Sequence, residues 1–382
     1  MDEAELLGRS RAAIEACHLV LSQGKQGKQR TMREHLAALL DSDDYDLAAD
    51  PDFYGDGILH ELEGRVAGLL GKPDAAFFPT GTMAQQVALR CWAARSGNPT
   101  VALHPLAHPE THERDALSIL TGLRTIHPTT APRLPSAAEI EAADEPFGTL
   151  MLELPLREAG FVLPTWDELI QIVQAGRDRG AIVHFDGARL WECTPRFGKP
   201  LTEIAALADS VYVSFYKSLG GLSGAALAGP ADLIAEAKAW RHRYGGHLYR
   251  QFPVALAALH GLNTELPRLP EYVDHAAVVA AALHDGLAET LPWYRIHPAE
   301  PHTHQFALWL PFDADTLNDA SLRQAEDTRV SLFRRWANTD LPDVAKTELT
   351  VSASALDWTA ADVTKAVRTF ATYLPASMAA RS

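Results

Sequence analysis

At 382 residues and 47% hydrophobic content, the chain can bury a large core and has the length of one large domain plus a smaller one. A formal net charge of −15 argues against a nucleic-acid or anionic-membrane partner, since either would meet long-range repulsion, and is compatible with a local basic pocket that takes a phosphate. Cys17, Cys91 and Cys193 are odd in number, far apart and without zinc spacing; no apolar h-region opens the chain, and no run nears the roughly 18 apolar residues that span a bilayer, so a soluble cytoplasmic protein with reduced thiols is expected.

Residues 1 to 40 read as two helices around a polar, glycine-containing loop over residues 22 to 30. The acidic, aromatic run 41 to 57 has too little periodicity for a helix, whereas 58 to 70 carries apolar residues at helical spacing. DAAFFPTGTMAQQVALRCWAA then reads as strand, tight turn and helix. Thr80, Gly81 and Thr82 would sit at that helix's N-terminus, where unpaired N–H groups and the positive dipole end attract an anion and Gly81 lets the backbone approach a phosphate. A plain threonine cap is the alternative. VALHPLAHPETHERDALSILTGL follows as a strand, a histidine-rich loop and a helix. His104, His108 and His112 are four apart, which on a continuous helix would stack three imidazoles and suggest a metal site, but Pro105 and Pro109 oppose that helix.

A helix near Ala137 leads to a strand over 149 to 154 that carries Glu153 to the sheet edge, and a helix over 166 to 179 completes a β-α-β crossover. Residues 181 to 185 and 210 to 215, rich in Val and aromatics, read as buried strands. Asp186 and Arg189 follow the first; Lys217 follows the second in a Tyr-Lys-Ser-Leu-Gly-Gly turn. An acid, a guanidinium and an amine thus converge where an open α/β sheet places its ligands. The set suits pyridoxal 5'-phosphate: Lys217 would form a Schiff base with the cofactor aldehyde, and Asp186 would keep the pyridinium nitrogen protonated so that the ring acts as an electron sink. Beyond it come a basic helix from 231 that ends at Gly245-Gly246, a helix from 252 to 266, and a break at 267 to 270. The C-terminal part should hold a helix over 272 to 290, two or three strands including 305 to 310, and a last helix over 360 to 373. The expected division is an N-terminal helical segment to residue 50, a large domain over 51 to 266 and a small α+β domain over 267 to 382.

The stretch His184-Phe185-Asp186-Gly187-Ala188-Arg189, with Lys217 31 residues after Asp186, resembles the threonine aldolase and β-eliminating lyase family of fold-type-I pyridoxal-phosphate enzymes. The resemblance runs from about Asp50 to Asp362 and is strong from Phe77 to Gln251. It implies an α/β fold with a mostly parallel sheet flanked by helices and a smaller α+β domain. It also implies that Gly81 and Thr82, in Pro-Thr-Gly-Thr-Met-Ala, hold the cofactor phosphate, with Arg250 reaching the same phosphate, and that Ser214 lines the cofactor site. His108, with Glu113 five residues on, would stack over the ring, and Arg189 would meet the substrate carboxylate or the cofactor phenolate oxygen. His242 or Arg243 stands where relatives use a second basic residue.

The departures matter as well. Glu153-Leu154-Pro155-Leu156-Arg157-Glu158 replaces the family's E-N-T-like segment, residues 348 to 355 lack the second carboxylate arginine, and the N-terminal Ser-Asp-Thr segment is unrecognisable. The implied activity is cleavage of a β-hydroxy-α-amino acid to glycine and an aldehyde, catalysed by Lys217, His108 and Asp186, with Arg189 and Glu113 contacting substrate. The alternatives are β-elimination or racemisation with the same cofactor, a metal-dependent hydrolase using His104, His108 and His112, and a cofactor-binding pseudoenzyme. Relatives assemble as dimers or tetramers, so a homo-oligomer is expected.

Overall fold

The computed structural model describes residues 3–22 and 31–375, with side chains from residue 8 onward; the expected polar loop, apart from Ser22, lies outside the described residues. The chain forms two compact units, residues 32–268 and residues 1–31 with 269–382.

The larger unit is built on strands β1 (Asp74–Phe78), β2 (Thr100–Ala102), β3 (Arg124–Ile126), β4 (Thr149–Glu153), β5 (Ile182–Gly187), β6 (Ser210–Ser214) and β7 (Ala225–Gly229). They lie in the order β1-β7-β6-β5-β4-β2-β3. β2 pairs in parallel with β3 and β4, β5 with β4 and β6, and only β7 runs against its neighbours. β4 and β6 are buried along their whole length, as parallel strands covered on both faces must be, which is why they read as apolar runs without alternation. The expected mostly parallel sheet is present.

Helices cover the sheet. Gly81–Ser96 and Ala231–Arg243 bury Val87, Ala88, Cys91, Trp92, Leu233 and Ala237 against Phe78, Tyr212 and Leu227. Each large apolar side chain so buried contributes about 1.5–3 kcal/mol relative to exposure. The helix Ile58–Leu70 stops at Gly71, whose φ of 61° is a left-handed cap that glycine adopts without a Cβ penalty. Trp166–Asp178 starts with a capping box between Thr165 and Glu168 and carries the chain from β4 to β5.

In the smaller unit the helix Leu269–Thr290 is accompanied by Ala314–Thr328 and Ala360–Ala371 and by an antiparallel four-stranded sheet whose central strands are Gln305–Leu310 and Ala345–Thr350. Phe306, Leu308, Trp336, Val367 and Phe370 belong to its core. Helix Glu3–Glu15 belongs here because Ala13 and Cys17 pack on Leu322 and Ala325. No helix among the described residues is long and apolar enough to cross a membrane.

Candidate active site

Parallel strands deliver their C-terminal ends to one edge of a sheet, so residues far apart in sequence arrive together there. Thr80 follows β1, His104 and His108 follow β2, Glu153 ends β4, Asp186 lies one residue from the end of β5 and Lys217 follows β6. The sequence places acid and amine at this edge, and the fold does so too.

Asp186 and Lys217 are buried at 1% and 7% exposure. Asp186 Oδ1 accepts the Ala188 N–H at 3.1 Å. Burial lifts the Asp186 carboxyl above its ordinary range, opposed by the Lys217 and His108 charges and by the Ala188 N–H. Glu153 faces Asp186 in register across β4 and β5. Its carboxyl is pushed up to about 7, first by burial and then by the Asp186 charge, although the His108 and Arg157 N–H groups and Lys217 favour the ionised form. Two carboxyls therefore share one buried cation, Lys217.

The backbone N–H of His108 donates to Glu153 Oε2 at 2.7 Å, and the His108 Nδ1 lies 3.1 Å from Glu113 Oε1. A carboxylate accepts, so a hydrogen on His108 Nδ1 points to Glu113, and in the neutral ring Nε2 then keeps its lone pair. Gln86, on the helix behind, donates Nε2–H to Glu113 Oε2 at 3.0 Å and fixes that carboxylate. Glu113, expected to contact substrate, is instead engaged by His108, and Gln86, which sequence reasoning did not single out, completes the set.

The opposed helix in the histidine loop forms for one turn only. His108–Thr111 is helical because Pro109 occupies its first turn, where its missing N–H costs nothing. His104 Nε2 meets the Ala131 carbonyl at 2.7 Å, and His112 Nε2 meets Glu158 Oε1 at 2.8 Å. The three imidazoles therefore engage three different partners, which overturns the metal alternative: among the described residues no group of three or more His, Cys, Asp or Glu is placed to hold a metal ion.

Arg189 is buried with its guanidinium carbon 5.3 Å from the Phe161 ring centroid, and its Nε has no hydrogen-bond partner among the described residues. Phe161, itself fully buried, holds a φ of 62°, an uncommon conformation for a bulky residue. Ser214 is fully buried, and its carbonyl accepts the Trp191 indole N–H at 3.0 Å. Glu192, also buried, accepts the hydroxyl of Ser218, the residue after Lys217. The short turn after Arg189 thereby braces both the end of β6 and the lysine turn.

At the helix N-terminus, Thr80 Oγ1 caps the Met83 N–H at 3.2 Å, so the cap reading holds for Thr80. The earlier N–H groups, at Gly81 and Thr82, are those a helix leaves without an internal partner. Gly81 has a further reason to lack a side chain: a Cβ there would lie 2.0 Å from the Tyr212 hydroxyl. Arg250 is exposed and donates to the carbonyls of Pro51 and Asp52 at 2.5 and 2.7 Å, so within this chain it straps that segment. His242 Nδ1 faces His247 Nδ1 at 3.1 Å, and Arg243 stacks 4.5 Å from the Trp240 ring centroid.

His184 opens the Asp186 stretch but has a structural task. Its Nδ1 lies 2.7 Å from Ser210 Oγ and its Nε2 2.7 Å from Gln85 Oε1, while Trp92 donates to the same Ser210 hydroxyl. A neutral ring satisfies this chain, and burial lowers its pKa to about 3.

The beta-eliminating lyase family model matches residues 26–295. The low specificity L-threonine aldolase of Escherichia coli (strain K12) is 31% identical over 247 residues, covering 63% of this chain and 73% of the relative. A solved structure from Listeria monocytogenes EGD-E, assigned as an L-allo-threonine aldolase, is 33% identical with a TM-score of 0.87, covering 97% of this chain and all of its own. One from Exiguobacterium sp. 255-15, assigned as an aromatic amino acid beta-eliminating lyase/threonine aldolase, is 34% identical with a TM-score of 0.86, covering 96% and 100%. SPT solved with PLP shares the fold alone, at 15% identity and a TM-score of 0.63. Sheet order, the amine and acid at one edge, and these likenesses agree: the chain belongs to the beta-eliminating lyase family of fold-type-I, pyridoxal-phosphate-dependent enzymes.

Proposed function

We propose that this lyase cleaves a β-hydroxy-α-amino acid of the threonine type to glycine and an aldehyde, using pyridoxal phosphate held at the edge formed by β4, β5 and β6. The observation that carries the reading is the buried Lys217 and Asp186 beside His108, whose Nδ1 is engaged by Glu113. The residues fit the cofactor: a buried acid suits a protonated ring nitrogen, the N–H groups of Gly81 and Thr82 suit a phosphate, and the buried Nε of Arg189 lacks a partner among the described residues. When bound, pyridoxal phosphate supplies an aldehyde for an amine and a ring that withdraws electrons from Cα.

This chain's residues do the rest. Lys217 is the amine that would hold the cofactor. Arg189 would offer its rigid fork to the substrate carboxylate and so orient the bonds at Cα. His108 Nε2, in the neutral ring whose Nδ1–H Glu113 engages, would take the proton of the β-hydroxyl as the Cα–Cβ bond breaks, and that proton returned to Cα gives glycine. Incubation with L-threonine or L-allo-threonine should release glycine and acetaldehyde in equal amounts, with Lys217→Ala reducing turnover at least about 1000-fold. 2-Oxobutanoate and ammonia, or racemised substrate without glycine, would overturn the reading in favour of elimination or racemisation.

We further propose a homodimer or homotetramer in which the exposed Arg250 serves the neighbouring subunit's phosphate site. Light scattering that returns the monomer mass of 41.6 kDa would contradict it.

A further inference from the structure

The hairpin that follows β4 is one of the places where this chain departs from the pattern its sequence resembles, yet it touches several of the groups assigned above. Its base is Glu153. One oxygen of this carboxylate, Oε2, accepts the His108 N–H at 2.7 Å, and the other, Oε1, accepts the Arg157 N–H at 3.2 Å. Leu156 and Val162 close the hairpin as an isolated bridge. From it Phe161 lies against the Arg189 guanidinium, and Arg157 Nη1 lies 3.3 Å from His112 Nε2, whose ring is 5.2 Å from that of His108.

A carboxylate 8% exposed and in register with Asp186 is expensive to bury, since both desolvation and the neighbouring charge oppose it. An amide or an apolar residue would be cheaper to bury. Neither could accept at both of the places where the two carboxylate oxygens stand, because an apolar residue accepts nothing and an amide presents a donor at one of them.

We propose that Glu153 is a positioning residue that registers the His108 loop and the Arg157 hairpin to one another above Asp186, and so sets where the His108 ring stands. Its effect on turnover passes through His108; it holds backbone and has no contact with substrate assigned to it. The role deepens the lyase reading and rests on it for the catalytic part. The loop-registering part stands on hydrogen bonds alone.

The test uses the cofactor-loaded enzyme and Glu153→Gln, with Glu153→Asp as a second variant that keeps the charge but shortens the reach. Amide hydrogen exchange over residues 106–113 and 155–161 should accelerate together, by about 10-fold or more, in either variant that folds. The kcat should fall about 10- to 100-fold with KM changed less than about threefold, as expected for losing a charge-assisted hydrogen bond. His108→Ala should cost several-fold less in the Glu153→Gln background than in the wild type, because both act through one ring. Unchanged exchange in the two segments, or strictly additive losses, would overturn the proposal. An absence of any visible cofactor band in the wild type would instead sink the lyase reading, and the exchange result would still decide the role of Glu153 in joining the loops.

Discussion

Asp186 illustrates a residue kept against its own folding cost. Its carboxyl is raised by burial, so in the cofactor-free protein it binds a proton more tightly folded than unfolded, and its contribution to stability falls as pH rises above the ordinary aspartate range. Asp186→Asn should therefore leave the cofactor-free protein at least as stable at neutral pH, measured by thermal unfolding, while reducing turnover more than about 100-fold. Loss of both stability and activity would mean that the ionised form is held better than the burial implies. Gly81 makes the complementary point. Gly81→Ala drives a methyl into the Tyr212 hydroxyl and should cost on the order of 1–3 kcal/mol and weaken cofactor retention. Adding Tyr212→Phe should recover part of both, by denaturant unfolding and cofactor titration; no recovery would show that the hydroxyl is not the obstacle.

Among the elements, β4 to β6 and the flanking helices were legible because Val, Leu and aromatic runs, glycine stops and capping residues state their period and their ends locally. β7 was not, since Ala225–Gly229 is an alanine and glycine run with little strand preference of its own, and only its pairing between β1 and β6 makes it a strand. The same holds for His184, which the sequence shows only as a neighbour of Asp186. It joins β5, β6 and the helix Gly81–Ser96 through Ser210 and Gln85. Its pKa falls to about 3, so between pH 6.5 and 3 the unfolded chain takes up a proton that the folded chain refuses, and stability is lost as pH falls through that window. Glu153, raised to about 7, works in the opposite direction between about pH 4.5 and 7, so the comparison must be made against a variant. Wild type should lose stability more steeply than His184→Gln as pH drops from 6.5 toward 3, in denaturant midpoints; parallel curves would contradict a neutral buried ring. A second brace, Glu63, accepts the Phe77 N–H at 2.8 Å and pairs with Arg241 at 3.2 Å and with Lys238 at 3.0 Å. Glu63→Ala leaves Arg241 buried without its acid and should cost about 3–5 kcal/mol in unfolding free energy.

At the scale of the whole molecule, the sequence carries the chemistry and the fold carries the bracing. Asp186, Arg189 and Lys217 were readable because each follows an apolar strand, and a sheet gathers strand ends whatever lies between them. Gln86 behind Glu113, Glu192 behind Ser218 and Glu153 under His108 were not assigned, since each brace joins separate elements whose alignment no local pattern specifies. Arg250 shows the reverse: its spacing suggests a phosphate ligand, while within one chain its guanidinium holds the carbonyls of Pro51 and Asp52. The account stands on an amine at Lys217 facing a cofactor aldehyde, and reduction reads it directly. Treating the purified enzyme with borohydride and mapping the peptides should place the mass of a reduced pyridoxyl phosphate on Lys217, with the visible band lost. A colourless protein that gains no mass, or a mass found on another lysine, would contradict it.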